Sequence, residues 1–303
     1  MTAKSQLAVG NIDNYMKANR LQLNIPKTAI MATPNIASVT INTPEGPVTS
    51  AQHIKVLGVT FTPDLKWNKN AKIILSQLAY RLSVLRSIRP LTDFPTIRKI
   101  ATATVLGKLQ YSLPAWGNVT QLMQQKLQSV LLTAARICLG PQHSRSSTSK
   151  LLTLMKWQSY PQLLETQTSK IIHQILATGH PASLASKLPA PAAGHTRGSQ
   201  KAYLRIPNRR KPLSKLTFAY KGVQAYNQID LSIRKIGNSK TFARKLKLFI
   251  NQSRSYYLPQ YNLKMTNPSP VVLPSLMDIV LTDQPDGSKH RSLIRLRQYL
   301  GKS

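Results

Sequence analysis

A chain of 303 residues with a 42% apolar share can bury a real core, as one large domain or as two to three small ones. Its 42 Lys and Arg stand against 9 Asp and Glu, a formal charge of +33, so its expected partner is a polyanion, nucleic acid before anionic membrane. No apolar run suits a bilayer span, Met1 to Arg20 holds no secretory core, and the single cysteine, Cys138, excludes an internal disulfide and a multi-cysteine zinc site.

These exclusions predict an intracellular protein, nuclear or cytoplasmic and not secreted, with Cys138 as a small buried residue at a helical position. The nine acids include no adjacent pair, and the closest, Asp283 and Asp286, sit in a Pro/Gly-containing turn. A two-metal site needs two or three converging carboxylates, so no catalytic set is evident. The histidines, among them His143, His173, His180 and His195, lack metal-ligand spacing and read as structural or solvent-facing.

Taken in order, residues 3 to 20 carry Leu7, Ile12, Tyr15 and Met16 at roughly helical spacing. Two β-prone runs follow, Ala29 to Thr33 and Ser38 to Asn42, separated by Pro34-Asn35, and a turn spans Pro44 to Pro47. His53 to Phe61 then reads as a strand, a bend at Gly58 and a turn, with Asp64-Leu65-Lys66-Trp67 behind it.

From Asn68 the period becomes helical. Ala71, Ile74, Leu75, Leu78, Leu82 and Leu85 share one face of a helix over residues 69 to 89, flanked by Lys69, Lys72, Arg81 and Arg86. A second helical segment spans Pro95 to Leu113. A third, Gln121 to Leu139, carries a stripe of Leu122, Leu127, Leu131, Ala134 and Cys138 and stops at Gly140-Pro141. Further helices span Lys150 to Thr178, so the pattern predicts a bundle with Trp116 and Trp157 as core anchors.

An Ala/Pro/Gly-rich connector lies between Ala182 and Gly198. From Lys187 to Arg254 there are 16 Lys and Arg against Asp230 alone, including Arg205, Arg209, Arg210 and Lys211 in an extended basic arm that also matches a nuclear-import pattern. Ser239 is expected to cap a helix with Phe242, Leu246, Phe249 and Ile250 inward and Lys240, Arg244 and Lys247 outward. The stretch from Leu258 to Pro274 reads as irregular, and residues 289 to 299 as a basic helix.

The fold class expected is therefore α+β, predominantly α. A small antiparallel part occupies residues 1–67 and a helical bundle 68–180. A linker over 181–200 precedes a basic end segment over 201–257 and a basic tail over 258–303.

The order of these features resembles the carboxy-terminal part of reverse transcriptases from jockey-like non-long-terminal-repeat retrotransposons. Leu21-Gln22-Leu23-Asn24-Ile25-Pro26-Lys27-Thr28 is similar to that family's Leu-x-x-Asn-x-x-Lys-Thr. Val56-Leu57-Gly58-Val59-Thr60-Phe61 with Asp64-Leu65-Lys66-Trp67 resembles its primer-grip hairpin. Tyr111 to Gly117 and Arg136-Ile137-Cys138-Leu139-Gly140 resemble thumb landmarks, and Phe218 to Leu248 its end segment. Tyr226 stands where the family has Trp, and Gln228-Ile229 replaces a Leu-Pro step.

The resemblance implies a palm remnant, a primer grip and a thumb, and so a truncated RNA-directed DNA polymerase. The family's Tyr/Phe-Ala-Asp-Asp strand, which holds Mg²⁺ in the intact enzyme, would lie before residue 1. What remains is expected to grip a primer-bearing RNA–DNA or DNA duplex without polymerising. Contacts would come from Lys27, Lys55, Leu57, Gly58, Val59, Lys72, Arg81, Arg205, Arg209, Arg210, Lys211 and Arg244. The alternatives are a basic nucleic-acid-binding protein with no polymerase function and a scaffold whose charge only keeps it soluble.

Overall fold

The computed structural model describes residues 2–32, 38–43, 46–188, 203–208, 210, 214–215 and 217–253. The first unit of the chain is Met1–Tyr257; the second, Leu258–Ser303, lies outside the described residues, as do the expectations of an irregular stretch and a basic helix there. The described chain is predominantly helical with two small antiparallel sheets. Among the described residues no helix is long and apolar enough to cross a membrane.

Helix α1 spans Thr2–Ala18, but Leu7, Ile12 and Tyr15 are exposed, and among its described side chains the buried one is Asp13, paired with Lys17 at 2.8 Å. The apolar spacing there does not mark a core face. Strands β1 (Thr40–Thr43) and β2 (Gly46–Thr49) pair across residues 44–45, with Ile41 opposite Val48 and both buried. Of the two β-prone runs, Ser38 to Asn42 leads into β1, whereas Ala29 to Thr33 forms no strand over its described residues and supplies there one bridge, Ile30 to Ser50.

Strands β3 (Ile54–Val56) and β4 (Val59–Phe61) form the expected hairpin. Helix α2 (Asn68–Ile88) buries Ala71, Ile74, Leu78, Leu82 and Leu85 of the stripe read from the sequence, and Leu75 is partly buried beside them. Each buried Ile or Leu of that stripe contributes about 1.5–3 kcal/mol when fully buried. In α6 (Gln121–Leu139) the buried stripe begins at Met123, and Leu122 is exposed instead.

The segment expected as one helix from Pro95 to Leu113 is more broken. Asp93 caps α3 (Phe94–Ala101), accepting from the Thr96 amide at 3.1 Å, and a π turn over Thr102–Leu106 leads into α4 (Gly107–Gln110). The Thr102 and Thr104 hydroxyls donate to the carbonyls four residues back, Arg98 and Ile100, at the point where the helix widens. The chain then turns at Tyr111-Ser112, Ser112 at φ 51°, and Pro114 opens the short helix α5 (Leu113–Trp116) rather than ending the preceding one.

Helices α7 (Thr148–Met155) and α8 (Tyr160–Thr178) complete the bundle, α8 started by a capping box of Ser159 and Gln162. Trp116 and Trp157 are core anchors, and each also braces the broken segment. Trp157 Nε1 donates to Thr102 Oγ1 at 3.0 Å, and Trp116 Nε1 to the Tyr111 carbonyl at 2.9 Å. Cys138 is fully buried, and burial pushes its thiol up to about 11.

After the short helix α9 (Ala182–Ala185), α10 (Phe218–Asn227), α11 (Leu231–Arg234) and α12 (Ser239–Ser253) gather a second apolar cluster on the far half of α8. Ile172 of α8 joins Leu204, Val223, Tyr226, Phe242, Leu246 and Ile250 there, whereas Leu163 belongs to the first cluster, so α8 serves both. The side chain that caps α12 is that of Asn238, accepting from the Thr241 amide at 3.0 Å, not that of Ser239.

Candidate nucleic-acid interface

The β3–β4 hairpin reverses through Leu57 and Gly58, at φ 47° and 80°. Two positive φ values in succession are what a tight type I′ turn requires, and a leucine accepts that conformation at a cost of about 1–2 kcal/mol. Leu57 is also 84% exposed. A strained apolar side chain is thus presented at the hairpin tip, with Val56 partly exposed beside it.

Two hydrogen bonds fix the hairpin to the bundle. At its inner strand, the Thr60 amide donates to Oδ1 of Asn70, buried in α2, at 3.0 Å. At its tip, the Tyr111 hydroxyl donates to the Leu57 carbonyl at 2.8 Å. A Cβ added at Gly58 would meet Tyr111 Cε1 at 3.5 Å in a backbone conformation that side chains rarely adopt. Val59 is buried in the bundle core, so its side chain anchors the hairpin rather than facing a ligand.

The cations near the hairpin follow from the same bracing. Thr104, Lys108 and Tyr111 follow one another along the π–α4 segment, Tyr111 being the extended residue that ends it. The Arg81 guanidinium, reaching across from α2, donates to the Thr104 carbonyl near the start of that segment; Tyr111 holds the hairpin at its end. Lys108 lies between them. Burial, then the positive charges of Arg81 and Lys55, lower its pKa below the usual lysine value.

The remaining sequence-predicted residues are spread more widely. Lys27 is exposed in a separate 3-10 turn, Ile25–Lys27, whose backbone is held by Asn24. Lys72 is exposed on α2, and Arg205 and Arg210 are exposed in the extended basic arm. Arg244 is exposed on α12; on the same helix Lys247 stands close enough to Lys170 of α8 to add to the burial that lowers the Lys170 pKa. Arg209 and Lys211 lie outside the described residues.

Sequence reasoning missed Lys108 and Asn70 and gave Tyr111 no contact of its own. The only signal for the first was its spacing from Tyr111, which becomes meaningful once the π turn and the hairpin tether are known. Comparisons with protein-family models, with curated proteins and with solved structures find no match.

Proposed function

We propose that this chain is the end of the palm, the primer grip and the thumb of a jockey-like non-long-terminal-repeat reverse transcriptase, binding a primer–template duplex. The observation that carries the reading is the hairpin Ile54–Phe61, whose exposed Leu57–Gly58 tip is tethered to Tyr111 beside the cations Lys55, Arg81 and Lys108. A glycine at the tip lets a nucleic-acid end approach the backbone closely, and the adjacent cations suit phosphates. Two small sheets ahead of a helical bundle is the order expected of a palm remnant followed by a thumb.

The net charge of +33 supports the same partner, since phosphate neutralisation supplies most of the sequence-independent affinity for a duplex. No adjacent acidic pair occurs in the sequence, so this portion is proposed to grip rather than polymerise.

Fluorescence anisotropy on a recessed primer–template and on a blunt duplex tests the reading. Tighter binding to the recessed end is expected, with a log–log salt slope of about −0.9 for each phosphate neutralised. Equal affinity for the two substrates leaves only a basic duplex binder, and a slope near zero removes nucleic acid as the partner. Extension of the primer by this chain alone with Mg²⁺ would overturn the non-polymerising part of the reading.

A further inference from the structure

We infer that Lys108, with Arg81 and Lys55 beside it, forms a discrete seat for one phosphate group at the foot of the hairpin. The inference rests on the nucleic-acid reading only for the source of that phosphate, a backbone phosphodiester rather than free phosphate.

The first argument is placement. The segment from Thr102 to Tyr111, which carries Lys108, is held at four points. Trp157 holds Thr102, Arg81 holds the Thr104 carbonyl, Trp116 holds the Tyr111 carbonyl, and the Tyr111 hydroxyl holds Leu57. These bonds hold the backbone before Lys108 against Arg81 of α2 and the backbone after it against the hairpin tip. Lys108 is half-buried, and its neighbours Val105, Leu106 and Leu109 are packed into the core.

The second argument is charge. Three cations brought together repel one another and favour a bound anion. The carboxylate ion pairs Lys17–Asp13 and Lys66–Asp64 involve none of the three. A guanidinium has five donors, and the bond to Thr104 engages Nη1, so Arg81 can serve the helix and an anion together. Lysine supplies a point charge with three rotatable donors, suited to a single phosphate.

The third argument is the route to the hairpin. A phosphate seated at Lys108 lies three residues before Tyr111, whose hydroxyl fixes the Leu57–Gly58 tip. Seating the backbone at that point sets the register in which the duplex end meets the tip.

Two measurements on the full chain test the seat. One compares salt slopes of duplex binding for the unaltered protein, Lys108→Gln, and Lys126→Gln on the exposed flank of α6. The other follows ¹³C-methylated lysines by NMR as inorganic phosphate or duplex is added, the Lys108 signal being the one missing in Lys108→Gln. The expected result is a slope shallower by about one in Lys108→Gln and unchanged in Lys126→Gln, with the Lys108 titration moving to higher pH when either probe binds.

An unchanged slope in Lys108→Gln, or equal losses in both variants, overturns the seat while duplex binding stands. If the unaltered protein does not bind duplex but inorganic phosphate still raises the Lys108 titration, the seat holds and the reading as a duplex-binding protein falls. A Lys108 signal that responds to neither probe overturns the seat outright.

Discussion

The Tyr111 hydroxyl donates to the Leu57 carbonyl at 2.8 Å, joining residues 54 positions apart and making the break after α4 the support for the hairpin tip. Tyr111 is half exposed and its ring contributes little to the core, so the tether is its main structural role. Tyr111→Phe keeps the ring and removes the bond. Stability should fall by about 0.5–1.5 kcal/mol in chemical denaturation. Overall duplex affinity should change little, whereas the preference for a recessed end should shrink, because the charges stay while the tip loosens. Anisotropy on the two substrates reads that split.

The tip residue itself is a poor choice for stability alone. Asn accepts positive φ far better than Leu, and Asn-Gly is the favoured pair for a two-residue hairpin turn. Leu57→Asn should therefore raise the unfolding free energy by about 1 kcal/mol. If the exposed leucine is there for a nucleic-acid end, the same variant weakens binding to the recessed substrate. Higher stability with unaltered end preference would show that Leu57 has no part in recognition.

Much of this architecture is legible in the sequence where burial is periodic. The stripe of α2 follows from apolar spacing because that helix buries one face, and the bend at Gly58 from the glycine; the pairing of Ile54–Val56 with Val59–Phe61 is implied by the family resemblance, since the buried Val59 and Thr60 are adjacent and show no alternation. Spacing fails for α1, where Leu7, Ile12 and Tyr15 keep helical intervals but stay exposed. It also fails between Pro95 and Leu113, where threonine back-bonds, the left-handed Ser112 and the Trp116 bond to the Tyr111 carbonyl break the helix locally, and Trp157, 55 positions on, braces Thr102. The cation cluster is non-local: Arg81 and Lys108 are 27 positions apart, and Arg81 reaches the segment that carries Lys108 by donating to the Thr104 carbonyl.

Gly117 gives a test of packing at the end of the same segment. A Cβ there would lie 2.6 Å from the Leu113 carbonyl oxygen and 2.6 Å from Leu164 Cδ1, and the first of these is backbone that cannot turn aside. The Gly117 carbonyl also accepts from the buried Tyr160 hydroxyl at 2.7 Å. Gly117→Ala should cost about 1–3 kcal/mol despite alanine's higher helix propensity. A thermal shift of the variant against the unaltered protein measures it, and a rise in Tm would contradict the close approach.

His173 makes the stability of the second cluster depend on pH. Its ring stacks on Phe242 at 3.6 Å between centroids, and its Nδ1 lies 3.1 Å from the Tyr226 hydroxyl. Arg234 lies over the Tyr226 ring, so a positive charge already stands on that side. Burial lowers the His173 pKa from 6.5, outweighing the Ile236 carbonyl, which raises it. The folded state then binds the proton less readily than the unfolded chain. The stability His173 contributes is complete above pH 6.5, falls as the pH drops below that value and levels off once the folded-state pKa is passed. His173→Gln can still meet Tyr226 but does not titrate. Denaturation midpoints at pH 7.5 and 5.0 should differ more for the unaltered protein than for the variant, and equal differences would mean that His173 is not the group responsible.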